Sequence, residues 1–257
     1  MKRLFLAQKH SFHNFKKYVL GNSMDTSNHL SSAKRLQQLL TISLLIAVFS
    51  LIAAVPGMAA NVTWINPENG NWNTAANWST GTVPTANDDV YINVEGTYSV
   101  SITGSINTNS ITIGGAEGIQ TLIAEGATIE GNIMNYGRVI VRHTSTFNST
   151  FENGASGKVM IQGVYGHHAK MISTTDIINR GTVELTNNHY NNSSTLNITN
   201  NKKLINHGTI RSLYGKTGGS RTIYGSIDNQ GTLDVTNHNL TFGSNASFFN
   251  NGSVVVG

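Results

Sequence analysis

The stretch Ile177-Ile-Asn-Arg-Gly-Thr-Val-Glu-Leu185 decides the fold, because it returns along the chain in recognisable copies. Its pattern is apolar-x-Asn-x-Gly-(Thr/Arg/Ser)-apolar-x-apolar. The copies cover 133–141, 177–185, 204–212, 227–235 and 248–256, with a degenerate, interrupted copy at 151–161. The corresponding glycines, at positions 137, 157, 181, 208, 231 and 252, follow one another in steps of 20 to 27 residues. One motif at such a period indicates a repeat architecture.

A step of this length predicts one coil of a parallel β-solenoid, with two or three short strands joined by bends. After each glycine, alternate side chains such as Val183 and Leu185 are apolar and point to one face of a strand. A single coil cannot bury that face, whereas stacked coils form a continuous core. An antiparallel sandwich or barrel also has short strands and turns, but it gives no reason for one motif to recur at a fixed corner.

The Asn-x-Gly element is expected to form the corner of each coil. Asn and Gly tolerate left-handed backbone angles, which would let the chain turn between strands. Asn at the same corner of successive coils also predicts a hydrogen-bonded ladder of side chains. The longest step, 27 residues, predicts an inserted loop within 186–203, where Asn-Asn-His-Tyr-Asn-Asn-Ser-Ser interrupts the strand pattern.

Composition agrees with an all-β fold and limits the class of partner. Gly, Asn, Ser and Thr are frequent, only 12% of residues are charged, and there is no cysteine. Disulfide bonds are therefore excluded. The net charge of +4 divides into +6 for residues 1–60 and −2 for the remainder. Nucleic acid is not expected as a partner, because the positive charge belongs to the N-terminal segment.

Residues 1–60 are predicted to be a leader. An apolar run at 39–55 follows two basic residues and precedes a proline and several small residues, as in a signal peptide. Cleavage is expected after Ala59 or Ala60, and translation could begin at Met1 or at Met24. The alternative is an uncleaved anchor, because the run is at the short end of a membrane span. Either way the protein is expected to be exported, and to touch a membrane only through the leader.

All three tryptophans lie in one short stretch, at Trp64, Trp72 and Trp78. The surrounding pattern is T-W, G-x-W, A-x-N-W-S-x-G, V-P and D-D-V-x-I. Over about 30 residues it resembles the opening of many bacterial exported β-helix proteins, including autotransporter-type adhesin passengers and large repeat surface proteins. The resemblance implies an extracellular, right-handed parallel β-helix with a structural or adhesive role. Expected partners are host or matrix glycans or proteins, or further repeats of a larger protein.

The tryptophans allow two interpretations. They could form a hydrophobic cap over the first coil, which would otherwise expose its apolar end and an unpaired strand edge. They could instead be a platform on which a glycan stacks. We expect a leader over 1–60, a tryptophan-rich cap with the first strands over 61–105, and solenoid repeats over 106–257.

Few residues suggest chemistry. Asp88 and Asp89 are weak calcium candidates through their carboxylate oxygens, and the alternative is an Asx-type turn before the strand Val90–Val94. His167 and His168 could bind a metal or act as a base, but adjacent strand residues point to opposite faces, which favours exposed loop histidines. No metal or other cofactor is expected.

Catalysis is not expected either. Glu184 and Asp234 occupy equivalent positions of two repeats, but Ile140, Met160, Arg211 and Val255 take that position elsewhere, so no carboxylate cluster forms. No catalytic residue is therefore assigned. The sequence predicts an exported structural or adhesive protein without enzymatic activity. The alternatives are a carbohydrate lyase or hydrolase built on a β-helix, and a non-catalytic glycan-binding module.

Overall fold

The computed structural model describes residues 37–41 and 59–257. Residues 37–41 are helical, and residues 59–257 contain 21 strands and one 3₁₀ helix, Ala75–Asn77, joined by turns and loops. The strands are β1 Asn61–Thr63, β2 Gly70–Asn71, β3 Asp89–Ile92, β4 Tyr98–Ile113, β5 Gln120–Asn135, β6 Arg138–Arg142, β7 Thr144–Phe147, β8 Phe151–Asn153, β9 Lys158–Gly163, β10 Ala169–Ser173, β11 Ile177–Asn179, β12 Thr182–Asn187, β13 Ser194–Ile198, β14 Lys203–Asn206, β15 Thr209–Ser212, β16 Arg221–Tyr224, β17 Ser226–Asn229, β18 Thr232–Val235, β19 Thr241–Phe242, β20 Ser247–Asn250 and β21 Ser253–Val256.

These strands form three ladders that run along a solenoid of about seven turns. Ladder 1 contains β1, β3, the ends of β4 and β5, β8, β11, β14, β17 and β20. Ladder 2 contains β2, the starts of β4 and β5, β6, β9, β12, β15, β18 and β21. Ladder 3 contains the middles of β4 and β5, then β7, β10, β13, β16 and β19.

All strand pairings among the described residues are parallel, so the parallel β-solenoid is confirmed and the antiparallel sandwich is excluded. The strand predicted at Val90–Val94 is present as β3, and the strand expected to contain Val183 and Leu185 is present as β12. The sequence did not predict that β4 and β5 each run through three faces as one bent strand of 16 residues. Their glycines at 104, 126 and 131 have positive φ angles, which allow the bends.

The core is a set of inward-pointing columns, one residue from each coil. In ladder 1 the buried column runs through eight successive strands: Val62, Val90, Ile111, Ile133, Phe151, Ile177, Leu204 and Ile227. Val183 of ladder 2 lies in register with Val159 and Ile210. Because alternate residues of each strand face inward, every coil adds a layer that the next coil covers.

The predicted asparagine ladder is present at the corner between ladders 1 and 2. The Nδ2 atom of each asparagine donates to Oδ1 of the asparagine one coil later, at 2.6–2.7 Å. The members are Asn135, Asn153, Asn179, Asn206, Asn229 and Asn250. Each Nδ2 of the first five also contacts a backbone carbonyl oxygen of the following coil, so these buried N–H groups are satisfied. At the start of the ladder, Oδ1 of Asn135 has no partner among the described residues.

The prediction that glycine occupies this corner because it adopts left-handed backbone angles is wrong. None of the corner glycines has a positive φ, so left-handed backbone geometry is not what selects them. The backbones of successive coils approach too closely for a side chain: a Cβ at Gly208 would overlap the carbonyl oxygen of Gly181, and one at Gly231 would overlap that of Gly208. Glycine is therefore required by the distance between coils rather than by the turn.

The tryptophan-rich segment already belongs to the solenoid. Its β1 pairs with β3, and its β2 pairs with β4, so the boundary predicted at residue 105 falls inside β4. The predicted inserted loop is confirmed at 188–193, between β12 and β13.

Apart from the helical residues 37–41, the predicted leader up to residue 58 lies outside the described residues. In the part of the chain that is described, no helix has the length and apolar character to cross a bilayer.

Candidate functional site

The three tryptophans form one aromatic cluster inside the solenoid. Each side chain is at most 1% exposed. The Trp78 ring lies edge-on to Trp64 at 5.0 Å and to Trp72 at 4.7 Å between centroids, and its Nε1 donates to the Trp72 carbonyl oxygen at 2.7 Å. This burial favours the cap interpretation. It leaves no indole face open to a glycan, which argues against the alternative in which these residues form a stacking platform.

Asp88 and Asp89 are engaged in separate structural contacts. The Asp88 carboxylate accepts hydrogen bonds from the Thr85 backbone and hydroxyl, at 2.7 and 2.8 Å, and from the Ala60 backbone. Burial raises the Asp88 pKa, but these hydrogen bonds outweigh it, so the pKa lies below its ordinary value. Asp89 accepts instead from Asn109 and Ser110. The pair thus supports a turn and the first coils, and the described residues contain no group of three potential metal ligands.

His167 and His168 lie in the loop between β9 and β10, where the sequence predicts them. The His167 ring stacks on His143 of the previous coil at 4.0 Å between centroids, while Nδ1 of His168 accepts from the Ser193 backbone at 2.9 Å. The two rings therefore contact different neighbours. They do not form a joint site with a carboxylate.

The two acids at equivalent repeat positions are separated by a base. On the outer face of ladder 2, Arg211 lies in register between Glu184 and Asp234. Asp234 pairs with Arg211 at 3.5 Å, and Glu184 pairs with Lys158 at 2.9 Å. Along the solenoid axis, each carboxylate therefore faces a cation rather than a second carboxylate.

A groove on the outer side of ladder 1 contains two further acids. It is lined by Thr112, Met134, Thr150, Glu152, Asp176 and Ile178, among others. Glu152 pairs with Arg180 at 3.2 Å, and Oδ1 of Asp176 accepts from the Lys203 backbone at 2.9 Å. Both acids thus have partners within the solenoid.

The most differentiated surface lies at the corner between ladders 2 and 3. At the asparagine corner most coils turn in two residues, but here four successive coils carry loops of five to eight residues. We define the loop surface as residues 164–168, 188–193, 213–220 and 236–240. It exposes three tyrosines, one from each of its first three loops: Tyr165 at 77%, Tyr190 at 61% and Tyr214 at 49%.

Histidines and a lysine lie between these tyrosines. The His189 ring contacts Tyr165 at 4.6 Å and Tyr190 at 5.1 Å, both edge-on. Tyr214 contacts His238 at 5.5 Å, which links the third loop to the fourth. The Lys216 ammonium lies 5.5 Å from the centre of the Tyr190 ring, within the range of a cation–π contact. The four loops therefore form a continuous row of aromatic and basic groups.

A buried arginine fixes the longest loop. Arg221, 1% exposed, donates to the carbonyl oxygens of Leu213, Tyr214, Asn192, Gly219 and Ser220. Its burial lowers the guanidinium pKa to about 10. Carbonyl oxygens thus replace water around a buried cation, which holds residues 213–220 in one shape.

Asn187 reinforces the same loop from the neighbouring coil. Its Nδ2 donates to the carbonyl oxygens of Asn192, Thr217 and Gly218, and its Oδ1 accepts from the Lys216 backbone at 3.0 Å. The loops are also tied to each other, because the Ser220 hydroxyl contacts that of Ser193 at 2.8 Å. The exposed tyrosines therefore project from an ordered backbone.

Charge is distributed unevenly along the solenoid. Residues 61–137 contain seven acids and no Lys or Arg, whereas residues 138–257 contain ten Lys/Arg and five acids. Those five acids all have partners: Glu152, Glu184, Asp228 and Asp234 form ion pairs and Asp176 binds a backbone amide. The loop surface itself contains no Asp or Glu, and its formal charge comes from Lys216.

Sequence reasoning identified one loop and two histidines of this surface but missed its tyrosines. A signal was present, because Tyr165, Tyr190 and Tyr214 are separated by about one coil length. Comparison of the chain with protein-family models, with curated proteins and with solved structures found no match.

Proposed function

We propose that the protein is an exported, non-catalytic β-solenoid that acts as a structural or adhesive module at the cell surface, like the bacterial surface β-helix proteins its tryptophan-rich segment resembles. The observation that carries the proposal is the contrast between its corners. One corner is a tight, hydrogen-bonded asparagine ladder, and another presents ordered loops with exposed aromatic rings. A regular solenoid with one elaborated corner suits the display of a binding surface.

The arrangement of acids also supports a role other than catalysis. Glycoside cleavage uses two carboxyl groups that flank the scissile bond, one of them free to donate a proton. Glu184 and Asp234 have Arg211 between them, and each is ion-paired. In the groove of ladder 1, Glu152 and Asp176 are bound to Arg180 and to the Lys203 backbone.

The groove nevertheless supplies the best test of the enzymatic alternative. If the protein cleaves polysaccharides, Glu152→Gln or Asp176→Asn should abolish the activity while the fold remains intact. Asp88→Ala is a poorer test, because Asp88 holds the turn at Thr85 and its loss would disturb the first coils. Cleavage of any acidic or neutral polysaccharide that is lost in Glu152→Gln would overturn the proposal.

The proposal itself is tested in the producing cells. We expect the protein on the outside of intact cells, where added protease removes it, and we expect a strain without the gene to adhere less to a glycan-coated surface. Adding the purified protein to that surface should then block adhesion of the parent strain by competition. Retention of the protein in the cytoplasm would refute the proposed role, and unchanged adhesion of the deletion strain would refute its adhesive form.

A further inference from the structure

We propose that the loop surface binds an acidic polysaccharide, a chain of sugars bearing carboxylate or sulfate groups. This inference rests on the proposed adhesive function and names both the contact surface and its ligand class. The evidence comes from ring exposure, charge and backbone order at one corner of the solenoid.

Exposed tyrosines suit sugar rings. A tyrosine presents an apolar face to the C–H groups of a pyranose, and its hydroxyl can hydrogen-bond with ring substituents. Tyr165, Tyr190 and Tyr214 belong to three successive coils, so they form a row along the solenoid axis. The His189 ring bridges the first two of them, because it contacts both Tyr165 and Tyr190. An extended chain of sugars could therefore contact more than one ring.

The charge of the loop surface favours an acidic polysaccharide over a neutral one. The loops contain Lys216 and four histidines and no carboxylate. The carboxylate nearest in sequence, Asp234, is occupied by Arg211 and by the Thr236 hydroxyl and backbone. Lys170, next to the first loop, has no ion-pair partner among the described residues. A polyanion would gain cationic contacts here without meeting an opposing acid.

Order in the loops strengthens the inference. Arg221 and Asn187 together satisfy the backbone carbonyls of residues 213, 214, 217, 218, 219 and 220. A ligand therefore meets rings and a lysine that are already positioned, which lowers the entropy lost on binding. Burying an arginine without an acidic partner has a cost in free energy. Here the buried arginine orders the loop of residues 213–220.

Nucleic acid is a polyanion too, but it fits this surface less well. Tight binding of a nucleic acid requires several phosphate contacts from Lys or Arg. In the loops only Lys216 is a permanent exposed cation, and residues 61–257 carry a net charge of −2. Sugar–aromatic contacts with a few ionic contacts match the surface better.

The test is calorimetric titration of the purified full chain with four probes: polygalacturonate, dextran sulfate, unmodified dextran and a mixed-sequence single-stranded DNA. We expect at least one acidic polysaccharide to bind about tenfold or more tightly than dextran, with an affinity that falls as NaCl is raised. Whether polygalacturonate or dextran sulfate binds identifies the acidic group. Equal affinity for dextran and both acidic chains, or tighter binding of the DNA, would overturn the proposal.

Variants locate the binding surface. Tyr190→Ala and Lys216→Gln should each weaken binding by about tenfold, and Tyr190→Phe should retain most of it. Tyr136→Ala and Lys202→Gln are the matched controls, because they remove an exposed ring and an exposed cation at other corners. Substitutions at all four of these exposed residues should leave the thermal unfolding midpoint within a few degrees of the parent protein's. Unchanged binding in both loop variants would refute the loop surface, even if adhesion by the parent protein upholds the proposed function.

Discussion

The side-chain amide of Asn179 lies between two others, accepting from Nδ2 of Asn153 at 2.7 Å and donating to Oδ1 of Asn206 at 2.6 Å. It also donates to the Thr209 carbonyl oxygen at 3.2 Å. A single buried side chain thus connects three coils. In a repeat protein, where each coil contacts only its neighbours, such links make the coils unfold together.

Replacing Asn179 with Ala should therefore destabilise the protein markedly. The change leaves Oδ1 of Asn206 buried without its donor and interrupts the ladder, with an expected loss of about 2–4 kcal/mol in the free energy of unfolding. Urea unfolding followed by circular dichroism measures it. Asn250→Ala is the control, because Asn250 is exposed at the last link of the ladder, and it should cost less than about 1 kcal/mol. Equal effects at both positions would argue against a cooperative ladder.

Close approach between coils makes a definite prediction for glycine. A Cβ at Gly208 would overlap the Gly181 carbonyl oxygen and the Arg180 backbone, so Gly208→Ala should lower the free energy of unfolding by about 2–4 kcal/mol. At Gly218 the nearest atom to an added Cβ is 3.8 Å away and the backbone is not left-handed. Gly218→Ala should change stability by less than about 0.5 kcal/mol. Similar urea midpoints for the two variants would contradict the proposed spacing constraint.

Arg221→Lys tests the order of the longest loop. Lysine keeps the charge but has three donors on one atom, so it cannot reach five carbonyl oxygens spread around a planar guanidinium. We expect a loss of about 2–4 kcal/mol in stability and faster amide hydrogen exchange in residues 213–220.

Arg180→Lys supplies the comparison for that variant. Arg180 is exposed and pairs with Glu152 on the outer face of ladder 1, so the change should cost under about 1 kcal/mol. It should leave exchange in residues 213–220 as it is in the parent. If Arg221→Lys also leaves that exchange unchanged, Arg221 does not order the loop.

Asp88 predicts a pH dependence of stability. Hydrogen bonds from Thr85 and Ala60 hold its folded-state pKa below the ordinary value of 3.8, so the carboxylate stabilises the fold above that pH. As pH falls through the lowered pKa, this contribution is lost. Asp88→Asn should therefore be about 1–2 kcal/mol less stable than the parent at pH 7, and the difference should shrink below about pH 4. A difference that stays constant from pH 7 to pH 3 would rule out this linkage.

The repeat could be predicted from sequence because it is enforced residue by residue. Asn179 and Gly181 must recur wherever amides bond between coils and backbones approach, so the motif, the coil length and the ladder are all visible in the chain. The loop at 188–193 was expected within 186–203 because its residues interrupt the strand pattern, whereas the longer loop at 213–220 lies in a step of only 23 residues and was not predicted.

The role of the corner glycine and the loop surface could not be predicted in the same way. The distance from Gly208 to the Gly181 carbonyl depends on how coils stack, and the sequence does not record it. The loops differ in length, so Tyr190 and Tyr214 fall outside any fixed motif, and Arg221 looks like an ordinary charged residue until its carbonyl partners are known. Because the tryptophans are large and clustered, the sequence allowed the interpretation that they stack on a glycan, but their side chains are buried.

The central claim is that the protein binds an acidic polysaccharide without cleaving it. The most direct measurement incubates the purified protein with the acidic polysaccharide that it binds best and follows two quantities over the same hours, the bound fraction and the chain length of the polysaccharide by size-exclusion chromatography. The account predicts stable, salt-sensitive binding and an unchanged chain length. Progressive shortening of the polysaccharide, or no bound fraction at all, would contradict it.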